Sequence, residues 1–203
     1  MDAQTLAEAM KKYPCAKLEG GMYRTCPVRL SFPHLFVAQA GTNDDGTPGK
    51  AKYSVALLFP AGANIDVLRA GAKEKQDAKF GADYKGAKLH TPFRDQGDKG
   101  HLAGYEEGRV FISANSTQKP GVVAVVGGVR SAVTDPTLVY AGCWALVTLR
   151  PYDFTNAKKK GVSFGLGNVM KLFDDEPFST RSNVEDDFGS VSVTSEVDPA
   201  SLF

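Results

Sequence analysis

The sequence predicts a mainly β protein: a small closed or partly open antiparallel barrel with one inserted helix, a short N-terminal helix and an acidic C-terminal tail. Three observations predict it. Apolar and polar residues alternate over several short runs, as they do along half-buried strands. Glycines punctuate the strand-rich part, where bends need them. Beyond a short N-terminal run, helical spacing occurs once, after the second strand. Closure removes exposed strand edges and so favours a barrel, with a β-sandwich as the competing architecture.

Residues Ala3 to Lys12 have helical spacing around Leu6, Ala9 and Met10, followed by a glycine-bearing connection from Lys17 to Tyr23. Thr25 to Val37 reads as the first strand, edged by Pro27 and Pro33, with Phe32, Leu35 and Phe36 large enough to anchor it. Gly41 to Gly49 is a turn region. Tyr53, Val55, Leu57 and Phe59 then alternate with Ser54, Ala56 and Leu58 in a second strand that pairs back, with Lys50 and Lys52 at its mouth. Asn64 is placed to cap a helix running to about Phe80, with Ile65, Leu68 and Ala72 inward and Lys73, Lys75 and Lys79 wet. Gly81 to Gly100 is a long charged excursion off the barrel, containing Thr91-Pro92-Phe93-Arg94-Asp95. Arg109 to Asn115 is the next strand, and Val122 to Val126 a short branched one before the Gly127-Gly128 bend.

The chain is organised around Leu138 to Phe173, which reads as strand, basic turn and returning strand. Successive side chains of a strand point to opposite faces. Cys143, Ala145, Val147 and Leu149 therefore share one face, suited to the core. Trp144, Leu146, Thr148, Arg150 and Tyr152 share the other. The turn carries Lys158, Lys159 and Lys160. In all, five or six strands are expected.

Composition narrows the function. The 203 residues carry 42% hydrophobic residues, enough for a real core. The net charge of +1 hides an asymmetry. Asp174 to Phe203 holds eight acidic residues and Arg181, so it is −7; the remainder is +8. A positive body with a negative tail suits a polyanion ligand and an internal competitor for its site. Three cysteines, Cys15, Cys26 and Cys143, imply neither a disulfide framework nor a zinc site, and no metal or cofactor is expected. No long apolar span or leader is legible, so a soluble cytoplasmic protein is expected, with no membrane partner. His34, His90 and His101 form no metal-binding pair. Gly41 and Gly46 are followed by Thr47 rather than lysine, so no phosphate loop is formed. No carboxylate cluster has a visible acid–base partner, and no enzyme is expected.

What remains is a binding surface made of Lys50, Lys52, Tyr53, Phe93, Arg94, Arg109, Phe111, Trp144, Arg150, Tyr152, Lys158, Lys159 and Lys160. Cations interleaved with rings suit single-stranded nucleic acid, whose bases are free to stack while phosphates draw the cations. Trp144 and Leu146 fit a core patch or subunit interface as well, and a lysine run also fits a solvated turn. Double-stranded DNA is disfavoured because no basic recognition helix is legible. The alternative is a structural or assembly protein that oligomerises through its β-rich surface.

Arg29 to Phe36, Thr91-Pro92-Phe93-Arg94-Asp95, Tyr140-x-Gly142-Cys143-Trp144, Pro151-Tyr152, Lys160-Gly161-Val162 and Gly165-Leu166-x-Asn168-Val169 add a further signal, as do Lys171 and Asp174-Asp175-Glu176-Pro177. In these pieces the chain resembles the phage single-stranded DNA-binding proteins of the oligonucleotide-binding (OB) barrel class. More distantly, it is similar to the helix-destabilising proteins of T7-like phages. The resemblance covers roughly Thr25 to Phe178. It implies an OB-like core, non-catalytic coating of single strands in replication or recombination, action in the host cytoplasm, and an acidic C-terminal segment that meets partner proteins. The expected organisation is an extension (1–24), an OB-like binding domain (25–173) and an acidic tail (174–203). Leu202 and Phe203 are the expected partner anchors, and the tail is expected to be mobile in the free protein. The chain departs from the T7-like pattern in that Pro199 to Leu202 separate its last charged residue, Asp198, from Phe203. The pattern does not choose between monomer and homodimer.

Overall fold

A computed structural model describes residues 1–42, 46–126, 128–156 and 159–178. Two helices, α1 (Ala3–Lys12) and α2 (Asp66–Phe80), accompany ten strands among these residues. The strands are β1 (Ala16–Lys17), β2 (Tyr23–Arg24), β3 (Val28–Gln39), β4 (Lys52–Leu58), β5 (Arg94–Asp95), β6 (Val110–Ser116), β7 (Val122–Val126), β8 (Val129–Ala132), β9 (Trp144–Thr155) and β10 (Lys160–Phe173).

Five of them close a ring. β9 pairs with β3, β3 with β4, β4 with β6, β6 with β10, and β10 returns to β9. The expected barrel is present, with one inserted helix and a short N-terminal helix. The sheet is mixed rather than wholly antiparallel: β10 runs parallel to β6 and to β7. Strand direction forces this, because β10 leaves the β9 hairpin pointing the same way as β6. β7 and β8 extend the sheet beyond β10, and β1 and β2 extend it beyond β9. The four extra strands that sequence spacing does not reveal are β1, β2, β5 and β8, of two to four residues each. The run from Leu138 becomes strand only at Trp144, after a short helical turn at Pro136–Leu138.

Every ring strand sends an apolar side chain into one core. Leu30, Leu57, Ile112, Leu149 and Phe164 are all at 0% exposure, and Leu68 of α2 closes the barrel from outside the ring. The alternation expected of β9 holds, with Cys143, Ala145, Val147 and Leu149 fully buried. α2 starts where the Asp66 N–H donates to the Asn64 side-chain oxygen (2.9 Å). It ends at Gly81, whose φ of 86° suits glycine. Its expected wet face is partly engaged, since Lys75 and Lys79 lie 3.3 and 3.5 Å from the Asp153 carboxylate of β9.

Residues 81–100 are less of an excursion than expected. Gln96 is 1% exposed and fully partnered: its Nε2 donates to Phe59 O and Val110 O, and its Oε1 accepts from Glu106 N. A buried amide with all its partners fixes the loop around it. Beside it, Ala56, Leu58, Tyr105 and Phe111 form a second small core on the outside of the barrel.

Candidate nucleic-acid interface

The segment from Ala87 to Asp95 straps across the start of β10. His90 N donates to Lys160 O (2.9 Å), and Val162 N donates to His90 O (3.2 Å). Gly161 permits this approach, because a Cβ there would lie 2.6 Å from His90 N. The strap and the facing Asn156, Lys159 and Lys160 line an open groove of about 820 Å³, with Lys88, His90, Phe93 and Arg94 on the strap side. Four residues expected from sequence, Phe93, Arg94, Lys159 and Lys160, thus meet in one place. Lys88 and His90 join them. The His90 imidazole is held below its ordinary value, first by burial and then by Lys159 and Arg94, which favours the uncharged ring.

Rings lead out of the groove onto the barrel surface. His90 and Phe154 have centroids 5.5 Å apart, and Phe154 and Tyr152 6.5 Å. Tyr152, Phe154 and Arg150 share one side of β9 by alternation, and Tyr152 is 36% exposed. A continuous row then crosses the ring: Arg150 opposes Gly165, Gly165 opposes Asn115, Asn115 opposes Ser54, and Ser54 opposes His34. None of the five is buried, and the three in the middle are small or polar. The result is a shallow trough with a ring and a guanidinium at one end. Gly165 leaves room for the Tyr152 ring, whose Cδ1 would be 3.9 Å from a Cβ at that position.

Other expected residues lie elsewhere. Phe111 is on the predicted outward face of β6 but is 0% exposed, sealed by Tyr105 and by the Arg94 guanidinium 4.7 Å from its ring centroid. It is therefore corrected from a stacking ring to a core ring. Tyr53 is corrected in its facing: it follows the inward parity of Val55 and Leu57 and packs, half-buried, against the edge of the main core. Lys50 and Lys52 are exposed at the β3–β4 end, with Lys52 on the same side of β4 as Ser54. Arg109 pairs with Glu106 at 2.6 Å and lines a separate cavity of about 410 Å³ under α1. Arg150 stands at the trough, its Nε donating to Met22 Sδ (3.3 Å). Lys158, Leu202 and Phe203 lie outside the described residues.

Trp144 is the third correction. It is 6% exposed, and its Nε1 donates to the Asp175 carboxylate (2.7 Å). The Arg29 guanidinium lies 5.9 Å from the Trp144 ring centroid and 4.3 Å from that of Phe178, and it donates to Glu176 O (2.6 Å). The acidic stretch from Asp174 to Phe178 is thus docked on the body, not mobile as expected; the rest of the tail lies outside the described residues. Burial raises the Asp175 carboxyl. That effect is outweighed by hydrogen bonds from the N-terminal ammonium, Trp144 and Glu176 N and by the charge of Arg29, leaving it at about 2. A depressed carboxyl stabilises above its unfolded value and loses that contribution as pH falls through its folded one. Asp175→Asn is expected to cost on the order of 1 kcal/mol at pH 7, after solvent screening. The gap from the unaltered protein should close as pH falls from about 4 towards 2, as thermal unfolding at several pH values would show.

Sequence reasoning missed His90, Phe154, Lys88 and Arg29. Phe154 was within reach, being two residues beyond Tyr152 on the same side of the strand. Among the described residues no cluster of three histidine, cysteine or acidic side chains is placed to hold a metal, and no helix is long and apolar enough to cross a membrane.

The family described as Enterobacter phage Enc34, ssDNA-binding protein, matches residues 23–198. Among solved structures, the single-stranded DNA-binding protein of bacteriophage Enc34 in complex with ssDNA is 26% identical, with a TM-score of 0.66 over 83% of this chain and 99% of that one. A further structure of the same phage protein is 25% identical, with a TM-score of 0.60 over 87% and 98%. The gp2.5 single-stranded DNA-binding protein of bacteriophage T7 is 17% identical, with a TM-score of 0.50 over 87% and 97%, a likeness of fold. No curated protein matches the chain.

Proposed function

Because the chain belongs to the Enc34 phage family of single-stranded DNA-binding proteins, we propose that it coats and protects single-stranded DNA, without catalysis and largely without regard to sequence. The observation that carries the reading is the junction of a basic groove with a ring-lined open trough. Lys88, Arg94, Lys159 and Lys160 supply positive charge. His90, Phe154 and Tyr152 supply successive rings. Stacking accepts any base, and cations follow the backbone, so such a surface binds single strands without reading them. The middle of the trough, Gly165, Asn115 and Ser54, offers no long side chain to enter a duplex groove.

The role is coating strands during phage-type replication or recombination, in the cytoplasm of the infected host. Residues 25–173 form the binding domain, 1–24 an extension and 174–203 a tail, whose first residues are docked by Arg29 and Trp144. Replication or recombination proteins are the partners proposed for the tail through Leu202 and Phe203, and pairing of two copies is a further proposal.

Fluorescence anisotropy with mixed-sequence oligonucleotides tests the central claim. Binding at micromolar or lower concentration is expected at about 50 mM salt, weakening steeply as salt rises because bound counterions are released. Duplex of the same sequence should bind more weakly. Salt-insensitive self-association without strand binding would point instead to a structural or assembly protein.

A further inference from the structure

Phe32 was expected to anchor the first strand, yet half of it is exposed, at 50%. Its backbone φ is +47°, and among the described residues other than glycine it alone has a positive φ. A bulky side chain rarely enters that region, and a residue before proline, as Phe32 is before Pro33, is ordinarily held extended. The cause is a bulge. Between the pairs Ser31–Ala56 and His34–Ser54, β3 spends three steps where β4 spends two. The extra residue re-aims a side chain that regular alternation would direct elsewhere. The Phe32 ring reaches the outer side of the barrel, where the Lys99 ammonium lies 5.8 Å from its centroid and within 6 Å of the Tyr105 and Phe111 rings. Tyr105 and Phe111 are buried in the second core, so only Phe32 of the three offers a free face. It stands beside His34, the β3 end of the row that begins at Arg150.

We propose that Phe32 is a base-stacking residue at the β3 end of the trough, with Lys99 beside it to hold a phosphate, so that a bound strand crosses the row from Tyr152 to Phe32. The proposal rests on the single-strand reading above and assigns the path over the barrel. Half of the ring stays exposed, so the strain gains only partial packing, and strained residues of this kind cluster at ligand-binding sites. The ring and ammonium repeat, at the far end, the chemistry of Tyr152 with Arg150.

The test uses the full chain and a fluorescein-labelled oligothymidylate of about 16 nucleotides, the upper end of single-barrel site sizes. Phe32→Ala is expected to weaken binding about ten- to a hundredfold, with the melting temperature kept. Phe32→Trp should restore binding. Phe32→Gly should raise the melting temperature by relieving the positive φ, while still losing affinity. Photo-crosslinking with an iodouracil-substituted strand should mark Phe32 as well as Tyr152. Wild-type affinity of Phe32→Ala alongside weakened Tyr152→Ala would overturn the path and leave strand binding standing. Wild-type affinity with a changed oligomeric state would overturn it too, making Phe32 a protein-docking ring. A wild-type chain that fails to bind the strand would overturn the functional reading and this proposal together.

Discussion

Replacing the three groove lysines together, Lys88→Gln, Lys159→Gln and Lys160→Gln, is expected to weaken single-strand binding about a hundredfold at low salt. The slope of log affinity against log salt should also flatten by about two, since each phosphate contact to a single strand contributes about 0.7. Glutamine keeps the Cβ and Cγ methylenes of each stem, so the part of the side chain nearest the backbone stays in place. The Lys160 ammonium sits 5.1 Å from the Tyr84 ring centroid, and losing that half-buried contact should cost about 1 kcal/mol, a small part of the stability of the whole fold. The melting temperature should therefore hold while affinity falls. The loss should be equal for all sequences, because phosphate contacts position the strand without reading it. Salt-dependent anisotropy on two unrelated oligonucleotides would measure both features. An unchanged slope would return these lysines to the role of solvated surface residues.

Gly161→Val should be the most damaging single substitution at the groove. The Cβ position at Gly161 is occupied by the His90 backbone, so a branched side chain must push the strap away. Gly161 also has a φ of 156°, at the border of the region that favours glycine. Losing the strap breaks two backbone hydrogen bonds, His90 N to Lys160 O and Val162 N to His90 O. A loss of about 3 kcal/mol is expected from overpacking and backbone strain together. Chemical denaturation would measure it. Strand affinity should fall as well, because Lys88, His90, Phe93 and Arg94 all ride on the strap. Gly165→Ala provides the contrast. A Cβ there meets nothing closer than 3.6 Å, so stability should hardly change.

The barrel strands were legible because core alternation is strict. Every second residue from Cys143, just before β9, to Leu149 is fully buried, and the inward residues of β4 and β6 follow the same rule. The parallel pairing of β10 was not legible, since pairing partners some fifty residues apart leave no local trace. The same distinction governs the site. Alternation found the correct outward face of β6 and β9 but could not say what covers it. Phe111 and Trp144 share a parity with Asn115 and Tyr152, yet the first two are sealed by Tyr105, Arg29 and the Asp174 to Phe178 stretch, which arrive from distant parts of the chain. Phe32 failed for the opposite reason. Size and hydrophobicity argued for burial, and a one-residue bulge turned the ring outward.

β10 is paired with β9, β6 and β7, and it is the last strand of the ring to be made. The barrel therefore cannot form progressively as the chain leaves the ribosome. Until Phe173 has been synthesised, β6 and β7 lack the strand that lies between them, and the contact from Val28 to Ala145 must span 117 residues. Such long-range pairings make folding slow, and they leave apolar strand edges open in the meantime. A chain interrupted anywhere before β10 would present those edges to its neighbours, so premature termination should yield aggregates and chaperone substrates rather than a shortened but working protein.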